Sequence, residues 1–138
     1  MNCAAISEMT GYECYPLSDD ETVAEIATPF KYEDGDDIFA YVEFGQDFVR
    51  FFDDGEVYDH FDGRGVFYGK HHDLGFLSEI ASANGLRFND ECIIEITATP
   101  EGAAAAFAKF MAAMLDFVSW EKAWAARRAE LRLAAAGK

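Results

Sequence analysis

The segment DDIFAYVEFGQDFVRFF at residues 36–52 constrains the fold most strongly, because it alternates like a β-strand on both sides of a short turn. One face of its first half holds only apolar side chains: Ile38, Ala40, Val42 and Phe44. The opposite face mixes acids and aromatics: Asp37, Phe39, Tyr41 and Glu43. Neither face is wholly polar at its centre, so we expect a strand inside a sheet. Gly45-Gln46 fits a two-residue type II′ turn, after which Asp47–Phe52 returns as the partner strand.

Further strands and helices follow from similar patterns along the chain. Strands are expected over Thr22–Thr28 and over Glu91–Thr99, which points Cys92, Ile94, Ile96 and Ala98 inward. Helices are expected over Asn2–Met9, over Asp54–Phe61 with Asp54 as the cap, from Asp73 to the Asn84-Gly85 signal, and over Glu101–Ala135. The Gly-rich segment GRGVFYGKHH at residues 63–72 is expected to be a loop. The order α-β-β-β-α-α-β-α predicts an α+β domain with a mainly antiparallel sheet of about four strands and a long C-terminal helix.

The last helix divides the single expected domain into a core and an arm. The 138 residues fit one domain, with an α+β core at 1–118 and a helical arm at 119–138. Apolar residues recur at helical spacing at Phe107, Phe110, Met114, Phe117, Trp124 and Leu131, interrupted by Glu121 and Arg128. With a rise of about 1.5 Å per residue, this helix is longer than a compact domain. The arm must therefore pack after a bend or against another subunit, and we expect homo-oligomerisation through Phe117–Leu131.

Cysteine usage and hydropathy predict a cytoplasmic protein. Cys3, Cys14 and Cys92 are odd in number and form no CxxC pair, which is typical of reduced thiols. No run approaches the roughly 18 apolar residues of a membrane span. The first residues also lack the basic and apolar segments of a secretory signal. We therefore expect no contact with a membrane.

Charge is the most uneven property of the sequence. The net charge is −15, and residues 1–62 hold 17 acids against only Lys31 and Arg50. Residues 63–100 carry a net charge of −2 and residues 101–138 a net charge of +2. Binding of DNA or of an anionic membrane through the first half is disfavoured on charge alone.

Three short motifs in the acidic half resemble a known family. They are Ala27-Thr28-Pro29-Phe30, the strand from Gly35-Asp36-Asp37-Ile38 to Tyr41-Val42-Glu43, and the turn Phe51-Phe52-Asp53-Asp54-Gly55. Over about Glu21–Pro100 the chain resembles DUF1828, a bacterial and prophage domain of unknown function. Phe52 stands where members usually carry Thr, so no role of that hydroxyl is transferred. The family has no established activity; the resemblance implies a prophage or mobile-element setting and no catalytic residue.

Metal binding has candidate residues but no complete motif. Seven acids could gather around a hard cation: Asp34, Asp36, Asp37, Asp53, Asp54, Glu56 and Asp59. The EF-hand register fails, because counting from Asp34 puts Ile38 and Phe39 at the fifth and sixth positions. A strand-type nuclease motif fails too, since no Lys follows Glu43 at the required spacing. A metal-dependent enzyme using Asp36, Asp37, Asp53 and Asp54 is kept as an alternative.

Histidines and aromatics give weaker hypotheses. His71-His72-Asp73, with His60 as a third ligand, resembles the His-Asp pair of helical metal phosphohydrolases, but those domains contain no sheet. Cys92 is expected to be an inert thiol on an inward strand face. Five aromatics could stack on bases: Phe39, Tyr41, Phe48, Phe51 and Phe52. Acids surround them where a basic groove is needed, so core packing is favoured.

The acids are therefore interpreted as an interaction surface consisting of Asp34, Asp36, Asp37, Glu43, Asp47, Asp53, Asp54, Glu56 and Asp59. Alternate strand residues lie about 6.6 Å apart, close to two rises of about 3.4 Å along a DNA strand. Such a surface suits a basic partner, above all a nucleic-acid-binding protein. The leading hypothesis is a non-enzymatic DNA-mimic inhibitor of a host defence nuclease, of the anti-CRISPR or anti-restriction type, with no cofactor and no direct binding of nucleic acid. A merely solvated acidic surface and a structural or regulatory module assembling through its C-terminal helix are the other readings.

Overall fold

The computed structural model describes residues 1–68 and 74–137, which form an α+β domain. Within these ranges the strands are β1 (Cys14–Pro16), β2 (Val23–Ile26), β3 (Ala40–Phe44), β4 (Val49–Phe52), β5 (Arg87–Phe88) and β6 (Ile94–Ala98). The helices are α1 (Cys3–Thr10), α2 (Glu56–Gly63), α3 (Gly75–Ala83) and α4 (Ala103–Ala136), with a 3-10 turn at Pro100–Gly102. The strands pair antiparallel in the order β1-β2-β3-β4-β6-β5. The predicted fold class is confirmed.

The sheet has two more strands than the sequence predicted. The four expected strands are β2, β3, β4 and β6, while β1 and β5 form the two edges. These edge strands contain three and two residues, too few for a two-residue periodicity to be recognised. Pro16 is tolerated in β1 because an edge strand can lack an N–H donor.

The turn between β3 and β4 lies one residue later than predicted. Phe44 pairs with Val49, and the Gly45 N–H donates to the Phe48 carbonyl at 2.9 Å, so Gln46 and Asp47 form the two-residue loop. Gly45 does not have the positive φ of a type II′ turn. The glycine instead lets the Phe48 ring pack directly over it, since a Cβ at this position would force that ring to move.

One face of the sheet is covered by helices and forms the core. Its buried strand residues are Ala24, Ile26, Ala40, Val42, Val49, Phe51 and Ile94. The helix α4 lies against β4 and β6 and buries Phe107, Phe110, Met114 and Phe117. Burying each large apolar side chain contributes about 2 kcal/mol, so this layer supplies most of the stabilisation of the fold.

The opposite face of the sheet is organised around Arg50. Its guanidinium donates to Glu95 at 2.7 Å, lies 3.5 Å from Glu43, and sits 4.2 Å above the Phe52 ring. Phe52 is therefore only 7% exposed although it points away from the core. Burial by itself raises the pKa of the Glu95 carboxyl, but hydrogen bonds from Arg50 and Asn89 outweigh it and hold the pKa below its ordinary value.

The long helix α4 continues beyond the core as an exposed arm. The Thr99 hydroxyl accepts the Gly102 N–H at 3.3 Å, and Pro100 follows it, as predicted for this helix start. Buried side chains extend from Ala103 to Glu121, after which Trp124 and Ala125 are half-buried and the rest of the described arm is exposed. Phe117 and Val118 belong to the core, so of the apolar residues predicted for homo-oligomerisation over Phe117–Leu131 those on the arm, half-buried Trp124 and exposed Leu131, are accessible to a second subunit.

The same helix is long and apolar enough to cross a membrane by length and composition. The segment Pro100–Ala136 reaches a mean hydropathy of 1.3 over its most apolar window. Half of that window is buried inside the domain, as expected for the core helix of a folded protein.

Some local predictions concern residues that the structure does not describe, and one, for Cys92, differs from the structure. Residues 69–73 lie outside the described ranges, so the structure does not place His71, His72, Asp73 or the end of the predicted loop. Cys92 is not on an inward strand face; it occupies a turn before β6 with a φ of 61°. The prediction failed because the Asn89 side chain accepts the backbone N–H groups of Glu91 and Ile93, which delays the start of β6.

Cys3 and Cys14 form a disulfide, so the expectation of three reduced thiols is wrong. The helix α1 packs beside β1 and brings the two Cα atoms to 5.3 Å, within the usual range for a disulfide. The 11-residue separation resembles no short cysteine motif, and only the tertiary packing of α1 on β1 reveals the pair.

We expect Cys14→Ser to lower the free energy of unfolding by about 3 kcal/mol, because a short cross-linked loop restricts the unfolded chain by about that amount. Urea unfolding of the oxidised wild type and the variant checks this. The control is Cys92→Ser, which removes a free thiol and should leave the transition near that of the wild type. Three titratable thiols in the non-reduced, unfolded wild type would contradict the assignment.

Candidate functional site

A cleft of about 510 Å³ opens at the end of the sheet where β3 begins and β4 ends. The loop before β3, the turn after β4 and the first turn of α2 line this cleft. Its residues are Tyr32, Asp36, Asp37, Phe39, Asp53, Glu56, Val57, Asp59 and His60. Five carboxylates, two aromatic rings and one histidine therefore face a single space.

Asp53 builds the turn that shapes the cleft. Its carboxylate accepts the backbone N–H groups of Gly55 at 3.1 Å, Val57 at 2.9 Å and Ile94 at 2.8 Å. Asp53 therefore caps α2 and ties it to β6, whereas Asp54, the predicted cap, is exposed at a φ of 58°. Because Asp53 is only 1% exposed, it does not belong to an outward surface.

Burial raises the pKa of the Asp53 carboxyl to about 6, although the three backbone donors lower it. An aspartate in the unfolded chain has a pKa of about 3.9. The folded state thus binds this proton more tightly than the unfolded state does. The resulting stabilisation is fully present below about pH 4 and is lost as the pH rises through about 6.

Glu56 places a second carboxylate in the wall of the cleft. The Tyr41 hydroxyl donates to Glu56 Oε1 at 2.8 Å, whereas the buried Oε2 has no hydrogen-bond partner. Burial raises the pKa of Glu56, with the charges of Asp53 and Asp54 adding to the effect and the Tyr41 hydrogen bond opposing it. Burial and neighbouring carboxylates likewise raise the pKa values of Tyr32 and Tyr41. The cleft is therefore a region of strongly negative potential.

A partly buried network of polar contacts lies beside the cleft and joins α2 to α4. His60 Nδ1 is 3.1 Å from Asp36 Oδ2, His60 Nε2 contacts Glu121 Oε2, and the Tyr32 ring stacks on the imidazole at 3.7 Å. Glu121 is fully buried, and its Oε1 accepts the Glu33 N–H at 3.1 Å.

Sequence reasoning did not identify Glu121 as a site residue. The available signal was a charged side chain interrupting the apolar stripe of α4. The partners of Glu121 come from elements distant in the chain, up to 88 residues away, so sequence periodicity could not identify them.

One group of side chains in the described ranges is close enough to share a metal ion. Ligand atoms of Asp34, His60 and Glu121 all lie within 4.8 Å of one another. Arg64 already places a guanidinium nitrogen 3.5 Å from Glu121 and 3.7 Å from Asp34, so a cation there would be repelled.

Three of the four carboxylates considered for a metal-dependent enzyme have other partners in the described chain, and the fourth, Asp54, is exposed. The Asp53 carboxylate accepts three backbone N–H groups, Asp36 contacts His60, and Asp37 pairs with Lys31 at 2.5 Å.

Seven of the nine acids of the predicted interaction surface lie in or next to the cleft, and the other two lie away from it. Asp36, Asp37, Asp53, Glu56 and Asp59 line the cleft, and Asp34 and Asp54 occupy neighbouring positions in the same loop and turn. Glu43 and Asp47 lie at the other end of the β3–β4 hairpin, where Glu43 pairs with Arg50.

The predicted aromatics also divide between core and surface. Phe51 is in the core, as expected, whereas Phe39 and Phe48 are 36% and 38% exposed. Phe39 is the exposed ring that lines the acidic cleft.

We expect Asp53→Asn to flatten the pH dependence of stability between about pH 4 and 6, where the Asp53 contribution amounts to about 3 kcal/mol. Urea unfolding at several pH values measures the slope for each protein. Asp54→Asn removes the adjacent, exposed charge and should keep the wild-type slope. Equal slopes for wild type and Asp53→Asn would contradict this assignment.

We expect Glu121→Ala to destabilise the fold by about 3–5 kcal/mol, because it removes a fully buried carboxylate that contacts His60, Arg64 and the Glu33 N–H and leaves a gap in its place. Glu130→Ala, on the exposed arm of the same helix, should change stability by less than about 0.5 kcal/mol. Chemical unfolding compares the two variants. A loss at Glu121 as small as that at Glu130 would show that this network of polar contacts does not stabilise the domain.

Comparison with known proteins supports one assignment. No curated protein and no solved structure is significantly similar to the chain. The profile of the domain of unknown function DUF1828 matches residues 28–116, which include the cleft-lining loop, the β3–β4 hairpin and the start of α4. Because this match covers more than half of the chain and confirms the resemblance of the sequence motifs, the protein belongs to the DUF1828 family.

Proposed function

We propose that this protein is a non-enzymatic interaction protein that binds a basic partner through the acidic cleft. The observation that carries the proposal is the concentration of outward carboxylates around one opening. We call this set the acidic surface: Asp34, Asp36, Asp37, Asp54 and Asp59, which are exposed, and Glu56, which is half-buried.

The charge of the acidic surface is only partly neutralised within the described chain. Lys31 pairs with Asp37, and Arg64 lies 3.7 Å from Asp34. Asp54 and Asp59 have no ion-pair partner among the described residues. Like charges held together destabilise a fold, and a cationic partner relieves that repulsion.

The exposed Phe39 ring adds a specific feature to the cleft. An arginine or lysine side chain entering the cleft meets carboxylates and an aromatic face together. Cation–π contact contributes about 0.5–1 kcal/mol at an exposed site. The combination favours a partner that inserts basic side chains over one that merely carries diffuse positive charge.

A narrower form of the proposal is that the partner is a nucleic-acid-binding protein whose DNA site the acidic surface occupies. The prophage setting implied by the family resemblance supports this form. Inhibitors of restriction or CRISPR nucleases are the corresponding class. Duplex DNA should then compete with the protein for the same partner.

We expect Asp37→Asn/Asp59→Asn to weaken binding of an arginine-rich peptide by about tenfold, because both exposed carboxylates face the cleft. The matched control is Asp19→Asn/Asp47→Asn, which removes the same charge at the opposite end of the sheet and should weaken binding by less than about twofold. Fluorescence anisotropy at low and moderate salt measures both proteins, and the wild-type affinity should fall with added salt. Equal losses in the two variants would mean that net charge, not the cleft, determines binding.

A further inference from the structure

A second cavity lies between the arm of α4 and the end of α2. It measures about 290 Å³ and is lined by Arg64, Trp124, Ala125, Arg128, Ala129 and Arg132. Three guanidinium groups and one indole ring therefore surround a space whose described lining contains no acid. This is the opposite chemistry to that of the acidic cleft.

Trp124 holds two of the arginines in place. The guanidinium carbon of Arg64 lies 5.6 Å from the Trp124 ring centroid, and that of Arg128 lies 5.1 Å from it. Arg128 also donates to the backbone carbonyl of Arg64 at 3.3 Å. These contacts restrict both side chains before any ligand binds, which lowers the entropic cost of binding.

The positive charge at this cavity is not fully compensated. Arg64 has carboxylates nearby, with Glu33 at 3.1 Å and Glu121 at 3.5 Å. Arg128 and Arg132 have no carboxylate within ion-pair distance among the described residues. The chain holds 26 acids against 11 Lys and Arg, so unpaired arginines lining one cavity are not explained by a shortage of acids. An anion between them would relieve their mutual repulsion.

We propose that this cavity binds a phosphate group. A guanidinium presents paired N–H donors that match phosphate oxygens, and arginines from two elements can contact several oxygens of a tetrahedral group. The volume is close to the lower limit of about 300 Å³ for small-molecule sites, which leaves room for a small organic phosphate ester. Trp124 and the two alanines supply an apolar wall for that organic part. This site is independent of the binding function proposed for the acidic cleft.

Calorimetry with the full chain at constant ionic strength tests this proposal, with inorganic phosphate and glycerol 3-phosphate as separate probes and acetate as a carboxylate control. We expect saturable binding of the phosphate probes accompanied by a change in tryptophan fluorescence, because Trp124 lines the cavity. Arg128→Gln/Arg132→Gln should weaken binding by at least about tenfold, since hydrogen bonds to charged groups are lost. The matched control Lys122→Gln/Arg127→Gln removes two exposed charges of the same arm outside the cavity and should weaken binding by less than about twofold.

The probes also separate the source of the phosphate group. Tighter binding of glycerol 3-phosphate would identify an organic phosphate ester, and equal binding of both probes would identify the phosphate group itself as the determinant; either result supports the site. Absence of saturable phosphate binding would overturn the proposal. Equal losses in the two double variants, or acetate binding as tight as phosphate, would overturn it as well.

Discussion

Glu121 places a carboxylate inside the domain, where an unpaired charge is costly and its partners must be supplied by the fold. The partners come from three elements: His60 on α2, the backbone of Glu33 in the loop before β3, and Arg64 just after α2. Packing of α4 in the core therefore also fixes the loop and the helix that line the acidic cleft. Asp53 completes this arrangement from the other side, since its carboxylate joins α2 to β6. These buried polar contacts fix the loop, the turn and the helix that form the cleft, and the exposed carboxylates project from those elements.

Arg64 stands between two regions of opposite charge. Toward the acidic cleft, its guanidinium contacts the carboxylates of Glu33 and Glu121. Toward the arm, its guanidinium carbon lies near Trp124 in the arginine-lined cavity. Acidic and basic residues, which are separated along the sequence, thus also form separate regions in the fold, on either side of Arg64. Acids gather where the loop, turn and α2 meet, and bases gather where the arm leaves the core. A domain with such a division can present separate surfaces to a cationic and to an anionic ligand.

The parts of the fold that follow local rules could be predicted from the sequence. The alternation of Ile38, Ala40 and Val42 identified a central strand, and Thr99-Pro100 identified the start of α4, because periodicity and capping depend on neighbouring residues. The choice between Asp53 and Asp54 as the cap could not be made in this way. Both carboxylates follow the same strand, and the decision depends on the N–H of Ile94, a residue 41 positions away.

Neither the disulfide nor the role of Glu121 could be predicted from the sequence, because both depend on contacts between residues distant in the chain. Cys3 and Cys14 meet only because α1 packs beside β1, and the role of Glu121 depends on a loop 88 residues earlier in the chain. Of the nine acids grouped as an interaction surface, the structure buries Asp53 and places Glu43 and Asp47 at the turn of the β3–β4 hairpin, away from the cleft. The burial of Asp53 could not be predicted, because its backbone partner Ile94 is distant in the chain.

Binding of a basic partner at the acidic cleft can be mapped residue by residue in an NMR titration of the isotope-labelled protein with an arginine-rich peptide, following each backbone amide. If the acidic cleft binds the basic partner, the perturbed amides cluster at residues 31–39 and 53–60, around the cleft, and their shifts saturate together. Perturbations spread evenly over the acidic half, or centred on residues 43–48, would contradict binding at the cleft.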